Sequence, residues 1–225
     1  MGLNETGTSM KTVRALRKDK AEHVDAPAEP RRKAAAEDEA NAGRRLQIMT
    51  EAARLFATRG FDATKIRDIA AAAGILGGSI YYHFASKEEI FLAVHSAGME
   101  TISSAVKAAI EGVEDPWNRL EAAAVAHCEA LLSTNELPVL VSPYFSESVG
   151  GLRKALIAQR DAYDRLIAAI VDELDLPETI DRKIFRLHFL GALNWIPTWY
   201  RSGSRLTPAE IGRQLVTMLR RDQPS

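Results

Sequence analysis

From residue 44 onward apolar side chains return every three or four positions, at Leu46, Met49, Ala52, Ala53 and Phe56, until Gly60 interrupts the run. That period puts them on one side of an amphipathic helix and makes the glycine its stop. Thr64 reads as the N-cap of a second, shorter helix with Ile66, Ile69, Ala70 and Ala73 on its inner side. Gly74 then supplies the left-handed residue that a sharp turn needs. A third helix is expected over roughly 78–84. Ser86 followed three positions later by Glu89 spells a capping box, opening a long fourth helix from about 87 to 111. Further helices are expected near 117–134, 143–174 with an interruption at Gly150-Gly151, 178–201 and 208–221, punctuated by Pro116, Pro138, Pro143, Pro177 and Pro208. No stretch alternates as a strand does and no repeat period is visible, so the expected fold class is all-α.

With 225 residues, 46% of them hydrophobic, the chain can bury a sizeable core. No apolar run approaches the roughly 18 residues that span a bilayer. The basic N-terminus is not followed by the apolar stretch of a secretory signal, so a cytoplasmic location is expected. Cys128 is the single cysteine, which excludes an internal disulfide and a multi-cysteine zinc site. The five histidines have no metal spacing, and neither a nucleophile elbow nor a phosphate loop occurs. No catalytic residue, metal or cofactor is therefore expected. Residues 1–40 are rich in charge, Ala and Pro but poor in large apolar groups, and are expected to form a disordered tail. Its basic clusters, Lys11 to Lys20 and Arg31-Arg32-Lys33, fit either a solvated tail or an arm that touches DNA.

The net charge of −1 points to no nucleic-acid partner for the chain as a whole. Between residues 41 and 95, however, seven Lys and Arg face five Asp and Glu, and two short helices meet at a glycine turn. That is the layout of a helix-turn-helix reader. Ile80 and Phe84, four apart, share an inward face, which leaves Ser79, Tyr82 and His83 outward and Tyr81 on the flank. Such an element can meet base edges through Ser79 and Tyr81 and phosphates through Tyr82 and His83. Gly77 and Gly78 allow close backbone approach, and Thr64, Lys65, Arg67 and Lys87 sit where phosphate is favoured.

These residues resemble the TetR family of bacterial transcriptional repressors. The matching stretches are Ala52–Ala57, Arg59-Gly60-Phe61, Ala63-Thr64, Arg67–Ala70, Gly74-Ile75, Ser79–Phe84 and Ser86–Glu89, within a region of about 44–95. The resemblance implies a homodimer on a palindromic double-stranded operator, released when a small ligand enters the C-terminal domain. Many members carry a lysine where this chain has Gly77, which leaves its operator sequence open. On this reading 1–40 is a tail and 41–87 is a three-helix, homeodomain-like reader. Residues 88–225 then form a helical effector-binding and dimerisation domain.

In that last region Ile184, Phe185, Leu187, Phe189, Leu190, Leu193, Trp195, Ile196, Trp199 and Tyr200 make a helix apolar on more than one side. With Ile211, Leu215, Met218 and Leu219 it is expected to supply a four-helix interface between two copies. His127, Leu131, Tyr144, Phe145, Tyr163, His188, Asn194 and Trp195, with Cys128 among them, are the candidate lining of an effector cavity. The stretch Trp199–Gly203 resembles family members that sense acyl-CoA thioesters, making an acyl-CoA or another hydrophobic molecule the expected effector. Two rival readings stand beside this one: a helical enzyme, and a helical interaction module without DNA binding.

Overall fold

In a computed structural model of the chain, residues 28–133 and 151–220 are described. The N-terminal cluster Lys11 to Lys20 and the candidates Tyr144 and Phe145 lie outside them. The chain divides into two units, Met1–Ala40 and Asn41–Ser225. Among the described residues there are seven α-helices and no strand, and a short 3₁₀ turn covers Ser79–Tyr82.

Helix α1, Ala28–Arg59, begins well before Arg44, so the expected disorder is corrected for residues 28–40. An alanine-rich, charge-laced sequence can hold a helix without burying it: Lys33 and Glu37 pair at 4.0 Å one turn apart, both exposed. Poverty in large apolar groups forbids a core, not an exposed helix. Further along, the buried face of α1 is Ile48, Ala52, Leu55 and Phe56. Leu46, expected on that face, lies two residues from Ile48 and so about 200° round the helix, and it is exposed.

Gly60, at φ +80°, ends α1, and helix α2 covers Ile66–Ala72. Gly74, at φ +65°, makes the turn that leads to the 3₁₀ segment Ser79–Tyr82. Ile69, Ala70, Ala73, Ile80 and Phe84 close over the α1 face to form a first core. Phe56, Phe61 and Phe91 meet there with ring centroids 5.1 Å to 5.5 Å apart.

Helix α3, Lys87–Ile110, is shared between two cores. Ile90, Phe91 and Val94 belong to the first, whereas Met99, Ile102 and Val106 belong to a second. At its N-terminus Ser86 accepts from the Glu89 amide at 3.1 Å, as the capping box requires. The Glu89 carboxylate reaches back one residue further than expected, to the Ala85 amide at 2.7 Å.

The second core is built by α4 (Pro116–Leu132), α5 (Arg153–Asp172), α6 (Arg182–Trp199) and α7 (Pro208–Leu219) against the far half of α3. Side-chain caps open three of these helices: Asp115 accepts from Asn118, Asp181 from Ile184, and Thr207 forms a full capping box with Glu210. Asp181 explains why α6 starts later than the expected 178. Leu156 on α5 returns to the first core, and His95 of α3 bonds Gln159 of α5 between the two. Helix α7 crosses α4 at Gly212, where a Cβ would stand 2.8 Å from the Ala124 carbonyl carbon. Only glycine permits that approach.

Candidate nucleic-acid interface

The segment expected as a full third helix is a single 3₁₀ turn. Gly77 and Gly78 disfavour helix at its start, and β-branched and aromatic residues follow. The turn is closed by bonds from the His83 and Phe84 amides to the Ile80 carbonyl, each 3.0 Å. Ile80 and Phe84 are sealed in the first core, so the remaining side chains of the turn are forced outward. Tyr82 is 89% exposed and Tyr81 56% exposed, while Ser79 is half-buried. His83 departs from expectation: it is half-buried, and its Nδ1 is enclosed without a hydrogen-bond partner.

Two candidates expected to face phosphate are turned inward. Thr64 is fully buried, and its hydroxyl donates to the Gly60 carbonyl at 2.7 Å and to Leu55 at 3.3 Å. The N-cap position of α2 is held by Lys65, without a side-chain cap bond. Thr64 is therefore a tie between α1 and the loop. Lys87 donates its ammonium to the carbonyls of Phe61 (2.8 Å) and Thr64 (3.0 Å) and lies 4.1 Å over the Phe61 ring. Two of its three donors are thus committed to closing the loop onto α3. Lys65 and Arg67 remain exposed, and Lys65 lines the same open depression as Tyr81. Gly77 and Gly78 are also open, with no atom within 4 Å of where a Cβ would stand.

Arg45 is a residue that sequence reasoning saw only as charge. Its guanidinium donates to the His83 carbonyl, lies 3.9 Å over the Phe84 ring and pairs with Glu89 at 3.7 Å. It thereby fastens the end of the 3₁₀ turn to both α1 and α3. Its backbone partner is 38 residues away, and no local pattern announces such a bond.

In the second core three expected effector residues converge from three helices. His127 (α4) and Tyr163 (α5) are buried and joined through Nδ1 and the phenol at 2.7 Å. Asn194 (α6) lies beside the ring. Burial keeps the imidazole neutral, lowering its pKa to about 4, although the Asn194 carboxamide favours the charged form. His127 Nε2 and Asn194 Oδ1 are both buried without a partner at hydrogen-bonding geometry. Burial also raises the Tyr163 hydroxyl and pushes the neighbouring Cys128 thiol up to about 12. Leu131 is buried in the same core. His188 and Trp195 are not brought in: both are exposed on α6. Trp195 follows Asn194 directly and so points about 100° away from it.

The outward side of α6 carries Ile184, Leu187, Trp195 and Trp199, each about half or more exposed. Phe185, Phe189, Leu193 and Ile196, expected with them at an interface, instead face the core. Among the described residues no helix is long and apolar enough to cross a membrane.

Comparison with known proteins matches residues 48–94 to the model of bacterial regulatory proteins of the tetR family. Residues 113–222 match the tetracyclin repressor-like C-terminal domain. The chain is 29% identical over 185 residues to the HTH-type transcriptional repressor KstR2 of Mycobacterium tuberculosis H37Rv, covering 78% of this chain and 90% of that one. Identity to KstR2 of Rhodococcus jostii is 28% over 183 residues, with 79% and 89% covered. Among solved structures, the ketosteroid regulator KstR2 of M. tuberculosis superposes with a TM-score of 0.66 at 25% identity, covering 78% and 92%. AibR, solved with isovaleryl coenzyme A and operator DNA, shares the fold with a TM-score of 0.67 at 24% identity, covering 78% and 97%. The chain belongs to the TetR family of bacterial regulatory proteins.

Proposed function

We propose that the chain is a ligand-responsive transcriptional repressor of the cytoplasm. Residues 41–87 read DNA, and residues 88–225 hold a small effector and pair with a second copy. The observation that carries this reading is the outward Ser79-Tyr81-Tyr82 surface on a turn whose Ile80 and Phe84 are locked inside. Gly77, Gly78, Ser79, Tyr81 and Tyr82 enter the major groove, and Lys65 and Arg67 meet phosphates. Thr64, Lys87 and Arg45 hold that surface in shape.

The exposed apolar side of α6, with Met218 of α7, is the face that a second copy covers. A two-fold pair would present two readers to a palindromic operator, about 34–36 Å apart. The effector is a largely apolar molecule whose small polar group meets His127, Tyr163 and Asn194. An acyl-CoA is the favoured class. The fold accommodates one together with operator DNA in AibR, and Trp199–Gly203 resembles acyl-CoA-sensing members. Because α3 belongs to both cores, rearrangement around the effector is transmitted to the reader; couplings of about 1–3 kcal/mol are usual for such devices.

The test is an electrophoretic shift with the DNA upstream of the chain's own gene, followed by titration with short-chain acyl-CoA thioesters. A salt-sensitive, sequence-specific complex dissolved by one of them is the expected result. No complex at low salt, together with thioester turnover by the purified protein, would replace the repressor with a helical enzyme.

A further inference from the structure

Between Ile75 and Ser79 only Leu76 carries a side chain, because Gly77 and Gly78 follow it. Leu76 is 80% exposed and packs against neither core. Its neighbour Ile75 is half-buried against the first core, so the turn divides its two aliphatic residues between inside and outside. The Leu76 carbonyl accepts from the Ser79 amide at 2.9 Å, which sets the residue at the entrance of the 3₁₀ turn.

A single exposed leucine is ordinary on a protein surface, and it is the location that makes this one informative. The N-terminal end of the recognition element is where helix-turn-helix proteins contact base edges. Ahead of the half-buried Ser79, that end presents one side chain, and it cannot form a hydrogen bond. The apolar feature that base edges offer in the major groove is the C5-methyl group of thymine. We propose that Leu76 is a specificity-determining residue that packs on a thymine methyl in each half-site, the open backbone of Gly77 and Gly78 letting it come close enough to seat. This rests on the DNA-reading function proposed above. Removing one methyl-sized apolar contact corresponds to about fourfold in affinity per half-site, and about fifteenfold when both half-sites of a dimer change.

The full-length protein is used to select its operator from a random duplex library, and each thymine of the selected site is then replaced by deoxyuridine, which deletes only the C5-methyl. The expected result is one symmetric thymine position whose replacement weakens wild-type binding about fifteenfold. Leu76→Ala should lose the response at that position and keep the others. Leu76→Met, which retains an apolar side chain of similar size, should keep it. Equal responses of wild type and Leu76→Ala at every thymine would overturn the assignment while leaving DNA reading intact. Loss of all binding by Leu76→Ala with an unchanged melting curve would also overturn it, since the residue would then serve the whole element rather than one base. Selection of no sequence at all would overturn the DNA reading itself.

Discussion

The two cores handle polar groups differently. Around Phe56, Ile80 and Phe84 the buried side chains are apolar, apart from Thr64, whose hydroxyl is satisfied by two carbonyls, and the enclosed Nδ1 of the half-buried His83. The side chains left at the surface of that region are Leu76, Tyr81 and Tyr82, with Ser79 half-buried beside them. Around Leu131, Ile167 and Phe189 polar groups are more numerous: an imidazole, a phenol and a thiol meet inside beside the half-buried Asn194, and His127 Nε2 and Asn194 Oδ1 lack a partner at hydrogen-bonding geometry. Buried polar groups without partners are costly, and a packed apolar shell tolerates few of them. The first region thus leaves its polar tips at the surface, whereas the second gathers polar groups from three helices in its interior.

The largest expected effect tests the apolar nature of the first core. Phe84→Ala removes a fully buried ring and should destabilise the chain by about 3–5 kcal/mol, read by chemical denaturation. A wild-type midpoint would show that the ring does not anchor the reading turn. Because α3 and Leu156 join the cores, a single unfolding transition is expected in the variant.

The second core should reveal itself through pH. His127 stays neutral in the folded chain down to about pH 4, whereas an unfolded histidine takes its proton near 6.5. Between those values the unfolded state holds more protons, so stability falls as pH drops through the window, by about 3 kcal/mol in full. His127→Gln should flatten this limb in denaturation curves recorded from pH 7 to pH 4. An unchanged slope would remove His127 from the set of buried neutral groups.

Gly212→Ala sharpens the comparison from the packing side. Its new methyl meets the backbone of Ala124 rather than a side chain that can swing away, so α4 and α7 must part. A loss of about 1–3 kcal/mol is expected, measured as a lowered melting temperature. The smallest effect on stability belongs to Tyr82→Ala, since the side chain is almost wholly exposed. Helix content and melting should match wild type while operator affinity falls in a shift assay; full affinity would take Tyr82 out of the interface.

Much of the fold could be read along the chain because its signals are local. Gly60 and Gly74 stop helices through backbone freedom, and Ser86 starts one through a hydrogen bond to an amide three residues away. Period alone distinguished Ile80 and Phe84 from the outward residues of the reading turn. It erred where the phase of a helix is set by its neighbours, as with Leu46 on α1 and Trp195 on α6. The start of α1 was missed because alanine and paired charges support helix without the apolar face that composition arguments look for.

The sequence by itself determined most helix ends, the helical character of the described elements, and the outward placing of Tyr81 and Tyr82. Those outcomes depend on backbone preferences and on bonds that span a single turn. Tertiary structure alone decided which polar groups face inward. Lys87 and Arg45 close loops through carbonyls far away in the chain, and His127, Tyr163 and Asn194 become one buried group only when α4, α5 and α6 pack together. Burial is a property of the assembled helices: a side chain's desolvation, and with it the neutrality of His127, has no value until the residues that exclude water from it have arrived.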